Sequence, residues 1–180
     1  MTTAQDILDF WFDVENKAFW FTKSEDFDQK LRYKFQDIFD QACKAELWSW
    51  RSCAEGCLAE IIILDQFSRN LYRDDPRAFA QDSVALVLSQ EAIKQGLDQQ
   101  LAPEQRSFLY MPFMHSESAL IHEQALKLFE KLGNPVNLDF EIRHKVIIDR
   151  FGRYPHRNQV LSRISSAEEL EFLRQPNSHF

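Results

Sequence analysis

The stretch from Ser52 to Phe67 narrows the possible folds more than any other part of the chain. Leu58, Ile61, Ile62, Ile63 and Leu64 cover nearly every side of a helix, and a helix that is apolar all round is stable in water only when other elements surround it. The remainder of the chain is suited to supplying them. Four Gly and six Pro stand against 16 Phe, four Trp and four Tyr, a balance that favours long elements around a bulky core over tight-turned hairpins. Alternating Val, Ile and Thr runs between Asn-Gly or Asp-Gly turns do not occur. The expected class is all-α, and 180 residues suit a single helical domain over residues 1–180.

Local signals place the helices. Thr3 caps a first helix reaching Asp13, with Ile7, Leu8, Trp11 and Phe12 as its apolar stripe. Ser24 caps a long helix in which Phe27, Leu31, Phe35, Ile38, Phe39 and Ala42 recur at three and four. Ser52 and Glu55 form a capping box for the central helix. Asp75 and Pro76 open another that Gly96 closes, and Pro103 opens a further one that Pro112 kinks or ends. Ser116 or Ser118 starts a helix closed by Gly133; Asn137 caps the next as far as Phe151, with Gly152 behind it. Ser165 and Ser166 offer overlapping boxes for a last short helix. Such short connections predict antiparallel helical hairpins, although the uneven starts define no strict repeat.

Charge and cysteine usage exclude several classes. With 28 Asp and Glu against 21 Lys and Arg, the chain carries −7, which repels nucleic acid and anionic lipid and argues against either as a partner. The longest apolar run, Val84 to Leu88, is five residues, far short of the roughly 18 of a membrane span. The first residues are acidic, unlike a targeting peptide. Three cysteines, Cys43, Cys53 and Cys57, suit reduced thiols, and the expected compartment is the cytoplasm. No cofactor motif is present: there is no phosphate-binding or dinucleotide-binding Gly loop and no nucleophile elbow. His115 and His122 are seven residues apart, too far along one helix to share a metal ion, so no metal site is expected.

Three segments are polar where the helical period predicts core or helix ends. In the first, Asp65, Gln66, Arg69, Asn70 and Arg73 share one face of a continued central helix, as an internal ion pair or as the wall of a groove. The second contains Arg150, Arg153, His156, Arg157 and Asn158. Between Arg143 and Arg163 there are six Lys or Arg and one acid, Asp149, a local +5 within a chain of −7. Five of the six are Arg, which suits bidentate holding of carboxylate or phosphate, whether from a ligand or from acidic helices elsewhere. The third is a Pro-kinked stretch, Tyr110 to Glu117, that sets His115 beside freed carbonyls. His144 shares a face with Phe140, Ile147, Ile148 and Phe151 and reads as a histidine at the edge of the core.

Taken together, Leu64-Asp65-Gln66-Phe67-Ser68-Arg69-Asn70, Phe108 to Glu117 and Arg150 to Asn158 resemble the signature blocks of the bacterial family called domain of unknown function 924. Phe10-Trp11-Phe12 and the closing Ser165 to Glu169 fit its outline, while Ser68 stands where that family often carries Pro. The resemblance implies an all-helical fold similar to tetratricopeptide-like hairpin arrays, and no established activity. On the residues themselves, the expected site gathers Asp65, Gln66, Arg69, Asn70, His115, Arg150, Arg153, His156, Arg157 and Asn158 on one concave side. The favoured reading is binding of an anionic small molecule or acidic peptide group. A hydrolase with His115 or His156 as acid/base and Asp65 as orienting group is the alternative; a purely structural ion network with a role in protein interaction is the third.

Overall fold

The computed structural model describes residues 2–176 and Ser178, and the described residues are helical without a strand. They run through α1 (Ala4–Trp11), α2 (Val14–Lys17), α3 (Glu25–Cys43), α4 (Ala54–Ile62), a π-helical turn (Ile63–Phe67), α5 (Ser68–Leu71), α6 (Asp82–Lys94), α7 (Pro103–Met114), α8 (Ala119–Leu132), α9 (Pro135–Phe151) and α10 (Ala167–Leu173). Among them no helix is long and apolar enough to cross a membrane. Two compact units are formed, one by Met1–Arg73 with Arg77–Pro112 and the other by Asp74–Pro76 with Phe113–Phe180.

The first unit is built on α4. Ala54, Leu58, Ala59, Ile61 and Ile62, with Ile63 and Leu64 beyond them, are fully enclosed, as an all-round apolar helix requires. Aromatic rings fill the space beside it: Trp11 lies 5.6 Å from Phe67 and 5.7 Å from Phe108, and Phe10 lies 5.0 Å from Phe35. Glu60, on the same buried helix, is held by a bidentate pair of bonds from Arg51, both 2.7 Å. Thr3 and Asp6 form a reciprocal capping box for α1, and Ser24 Oγ accepts from Phe27 N–H at the start of α3.

Other starts differ from those expected. The Ser52 hydroxyl donates to the Ser49 carbonyl, and Cys53 holds the cap position of α4 without a side-chain capping bond, its thiol turned to the Trp50 carbonyl. A 3-10 turn, Trp48–Ser52, occupies the approach and takes the serine away from the helix end. Asp75 and Pro76 lead into a 3-10 turn, Pro76–Ala78, and α6 begins only at Asp82.

The second unit is a hairpin with a C-terminal wrap. Gly133 takes φ 75°, a left-handed conformation open to glycine at little cost, and turns α8 back into α9. Asn134 rather than Asn137 caps α9: its Oδ1 accepts from Val136 and Asn137 N–H, with Pro135 at the first helical position. Ser118 stands at the cap of α8 without a side-chain bond. After Gly152 the chain lays Tyr154 against Ile147 and Ile148, with Phe151 and Phe172 packed around them. Ser166 and Glu169 form the capping box of α10.

Candidate functional site

The Asp65 segment is not an α-helical stripe. Ile63–Phe67 forms a π-helical turn, a wider coil whose extra residue changes which side chains align. Asp65 and Gln66 are buried in it, and Gln66 Nε2 donates to Asp65 Oδ2 at 2.5 Å and to Met111 Sδ at 3.5 Å. The Asp65 carbonyl accepts from Ser68 Oγ at 3.0 Å and Arg69 Nη1 at 2.6 Å. Arg69 then bridges to Asp82 at 2.9 and 3.0 Å. Asn70 Nδ2 donates to Asp28 at 2.8 Å, as does the Arg73 guanidinium. The expected single face is therefore divided, with Asp65 bonded to Gln66 and Arg69, Arg69 paired to Asp82 of α6, and Asn70 and Arg73 paired to Asp28 of α3. All of these lie in the first unit.

His115, Arg150, Arg153, His156, Arg157 and Asn158 lie in the second unit, where the arginines divide into two sets. Arg150 donates twice to Glu168, at 2.9 and 2.7 Å. Arg153 grips Glu169 at 2.6 and 2.8 Å, and Arg163 grips Glu117 at 2.7 and 2.9 Å. The Arg153 bonds, followed by the Ser166 N–H and Asn158, hold the Glu169 carboxyl down at about 2 against its burial. Burial pushes Glu117 up, but Arg163 and the Tyr154 N–H outweigh it and leave the carboxyl below its ordinary value. Asn158 accepts from Arg163 Nε and donates to Ser165 Oγ. Three of the clustered cations thus tie α10 and the loop before α8 to α9 and the segment that follows it.

Arg157 belongs to a different constellation, centred on Tyr154. Its guanidinium stacks 4.5 Å from the Tyr154 ring and donates to the His115 carbonyl at 3.0 Å. His156 and His144 lie 5.6 Å from the same ring, His122 lies 6.3 Å from it, and His115 lies 6.4 Å from His144. His115 and His156 are half-buried, whereas His122, His144, Tyr154 and Arg157 are buried. The Tyr154 hydroxyl donates to the Met114 carbonyl at 2.5 Å and lies 3.1 Å from His122 Nε2. Pro112 stands within α7, two residues before the helix stops.

Beneath the tyrosine, α8 and α9 contribute an enclosed pair. His122 Nδ1 is 2.7 Å from Glu141 Oε1, and His122 Nε2 is 2.8 Å from the Ser116 carbonyl. A carbonyl only accepts, so Nε2 carries a hydrogen, and Nδ1 and Oε1 share one further proton. Both side chains are 0% exposed, and Glu141 Oε2 has no hydrogen-bond partner. Burial accordingly raises the Glu141 carboxyl above its ordinary value, against the opposing pull of His122. Burial favours the uncharged form of that carboxyl.

In the sequence His122 is weighed only as a metal ligand, Glu141 and Tyr154 are not singled out as site residues, and His144 reads as a histidine at the edge of the core. Their signal is a hairpin register: His122 precedes Gly133 by eleven residues and Glu141 follows it by eight, so two antiparallel helices bring them alongside each other. A search for ligands along a single helix does not register such a pair.

Comparison with known proteins agrees with the helical architecture. A family model described as "Bacterial protein of unknown function (DUF924)" matches residues 7–177. The chain is similar to a solved structure from Agrobacterium tumefaciens, "Structure of Protein of Unknown Function ATU0120", with 37% identity and a TM-score of 0.90 over 94% of this chain and 96% of that one. No match was found among curated proteins.

Proposed function

The chain belongs to the DUF924 family of bacterial proteins of unknown function, and from that premise we propose that it binds an anionic small molecule or the acidic group of a peptide at the histidine and arginine cluster around Tyr154. The carrying observation is the make-up of that cluster. Three histidines and Arg157 surround one buried tyrosine, with His115 beside one of those histidines, His144, while the nearby acids Glu141 and Glu117 are bonded to His122 and Arg163. A bound oxyanion would meet Arg157 as a planar charged donor and the half-buried His115 and His156 as further donors. The hydrolase alternative draws on the His122–Glu141 pair, a carboxylate–imidazole arrangement suited to acid/base work. Complete enclosure of both partners favours binding over that chemistry.

A thermal-shift screen over oxyanions, nucleotides, sugar phosphates and acidic peptides tests the reading, since a ligand at 100 times its Kd adds about 2.7 kcal/mol. Arg157→Gln is expected to weaken the ligand found by roughly 1.5–3 kcal/mol, the scale of a charge-assisted hydrogen bond. Stabilisation by cations alone would contradict it. Turnover that His156→Gln or His115→Gln cuts about 100-fold at unchanged affinity would move the reading to the hydrolase.

A further inference from the structure

His144 projects from α9 into the cluster. It lies edge-on to the Tyr154 ring at 5.6 Å and 6.4 Å from the His115 ring. Its Nδ1 is 2.7 Å from the Phe140 carbonyl one turn back, so Nδ1 carries the hydrogen and a second proton would have to sit on Nε2. The titratable and charged groups gathered here are His115 from the end of α7, His122 from α8, Tyr154, His156 and Arg157 from the segment after Gly152, and Glu141 from α9 itself. Most of them are cations or become cations on protonation, and the acid among them, Glu141, is bonded to His122.

We infer that the cluster takes up its anion together with a proton, and that His144 is the seat of that proton; this rests on the anion-binding reading above. An anion set against Arg157, His115 and His156 offsets the positive field around His144 and places a negative charge in a poorly solvated site. Both effects favour imidazolium. Without an anion the ring stays neutral: burial, ahead of the charges of His115, His122 and Arg157, pushes its pKa down to about 3 despite the bond to the Phe140 carbonyl. A site that gains a proton on binding holds its ligand more tightly as pH falls, by up to about tenfold per pH unit for each proton taken up.

Sulfate is a suitable probe, because it remains a dianion throughout the neutral range. In the full chain labelled with 15N-histidine, the ring nitrogens of His144 are expected to show the neutral Nδ1–H pattern without sulfate between about pH 5 and 8, and with saturating sulfate to move towards the imidazolium pattern as pH falls through that range. Sulfate affinity measured by calorimetry is expected to rise as pH falls, and His144→Gln to lower that slope by one proton. If sulfate shifts the His115 and His156 signals while His144 stays neutral, the proton inference is overturned and the anion-binding reading stands. If sulfate moves none of the three, both fall. The wild-type spectra decide the question even where the variant fails to fold.

Discussion

Glu141 shows how much one buried proton determines at the residue scale. Glu141→Ala leaves His122 Nδ1 without its partner, which costs about 1–3 kcal/mol. Glu141→Gln offers an amide N–H to that nitrogen and leaves the bond to Ser116 in place, so it should lie closer to wild type in urea unfolding near neutral pH. Equal losses for the two would show that the bond contributes nothing. The raised Glu141 carboxyl also fixes a sign. Its stabilisation is present below the ordinary carboxyl value and lost as pH rises through the folded one, so as pH rises from that ordinary value wild type should lose stability while the Gln variant does not. At Gly56 the constraint is steric, because an added Cβ would meet the Trp50 carbonyl oxygen at 2.0 Å. Helix propensity favours Ala over Gly by about 1 kcal/mol; here Gly56→Ala should instead destabilise by about 1–3 kcal/mol in the same assay. The buried glycine was visible in the sequence, but the carbonyl that requires it was not, since that carbonyl arrives from a separate 3-10 turn.

At the scale of elements, capping and periodicity act over a few residues and read well, except where two local solutions compete. Asn134 and Asn137 are both able to cap α9, and Pro135 decides between them by fitting the first helical position. Asn134→Ala should therefore cost about 0.5–2 kcal/mol in chemical denaturation and Asn137→Ala close to nothing; the reverse order would restore Asn137 as the cap. The central placement of α4 followed from its all-round apolar surface. Ile62, 1% exposed, should cost roughly 2–5 kcal/mol on truncation to Ala, and a loss below ~0.5 kcal/mol would put the helix on the outside. The π-helical turn that follows escaped a reading built on 3.6 residues per turn. After it Arg69 pairs with one neighbour, Asp82 of α6, and Asn70 and Arg73 with another, Asp28 of α3.

For the whole molecule, the segregated charge of the 143–163 stretch is answered largely within the second unit, by Glu117, Glu168 and Glu169. Because Arg153 and its companions hold Glu169 down at about 2, the stability this carboxylate supplies is present above the ordinary carboxylate value and lost as pH falls towards about 2. Arg153→Gln should accordingly lower the melting temperature most near neutrality, with the deficit shrinking below about pH 4. An equal deficit in scans on both sides of that value would show that the pair does not carry the acid sensitivity. The all-helical class, the caps at Thr3 and Ser24, the glycine ends at Gly133 and Gly152 and the buried central helix were set by the sequence alone, because each rests on neighbours a few residues away. Only the tertiary structure decided which acid each arginine takes, how His122 meets Glu141 and which histidines surround Tyr154. Those pairings depend on the register in which separate helices pack, and that register is fixed by all the facing side chains at once rather than by any local pattern.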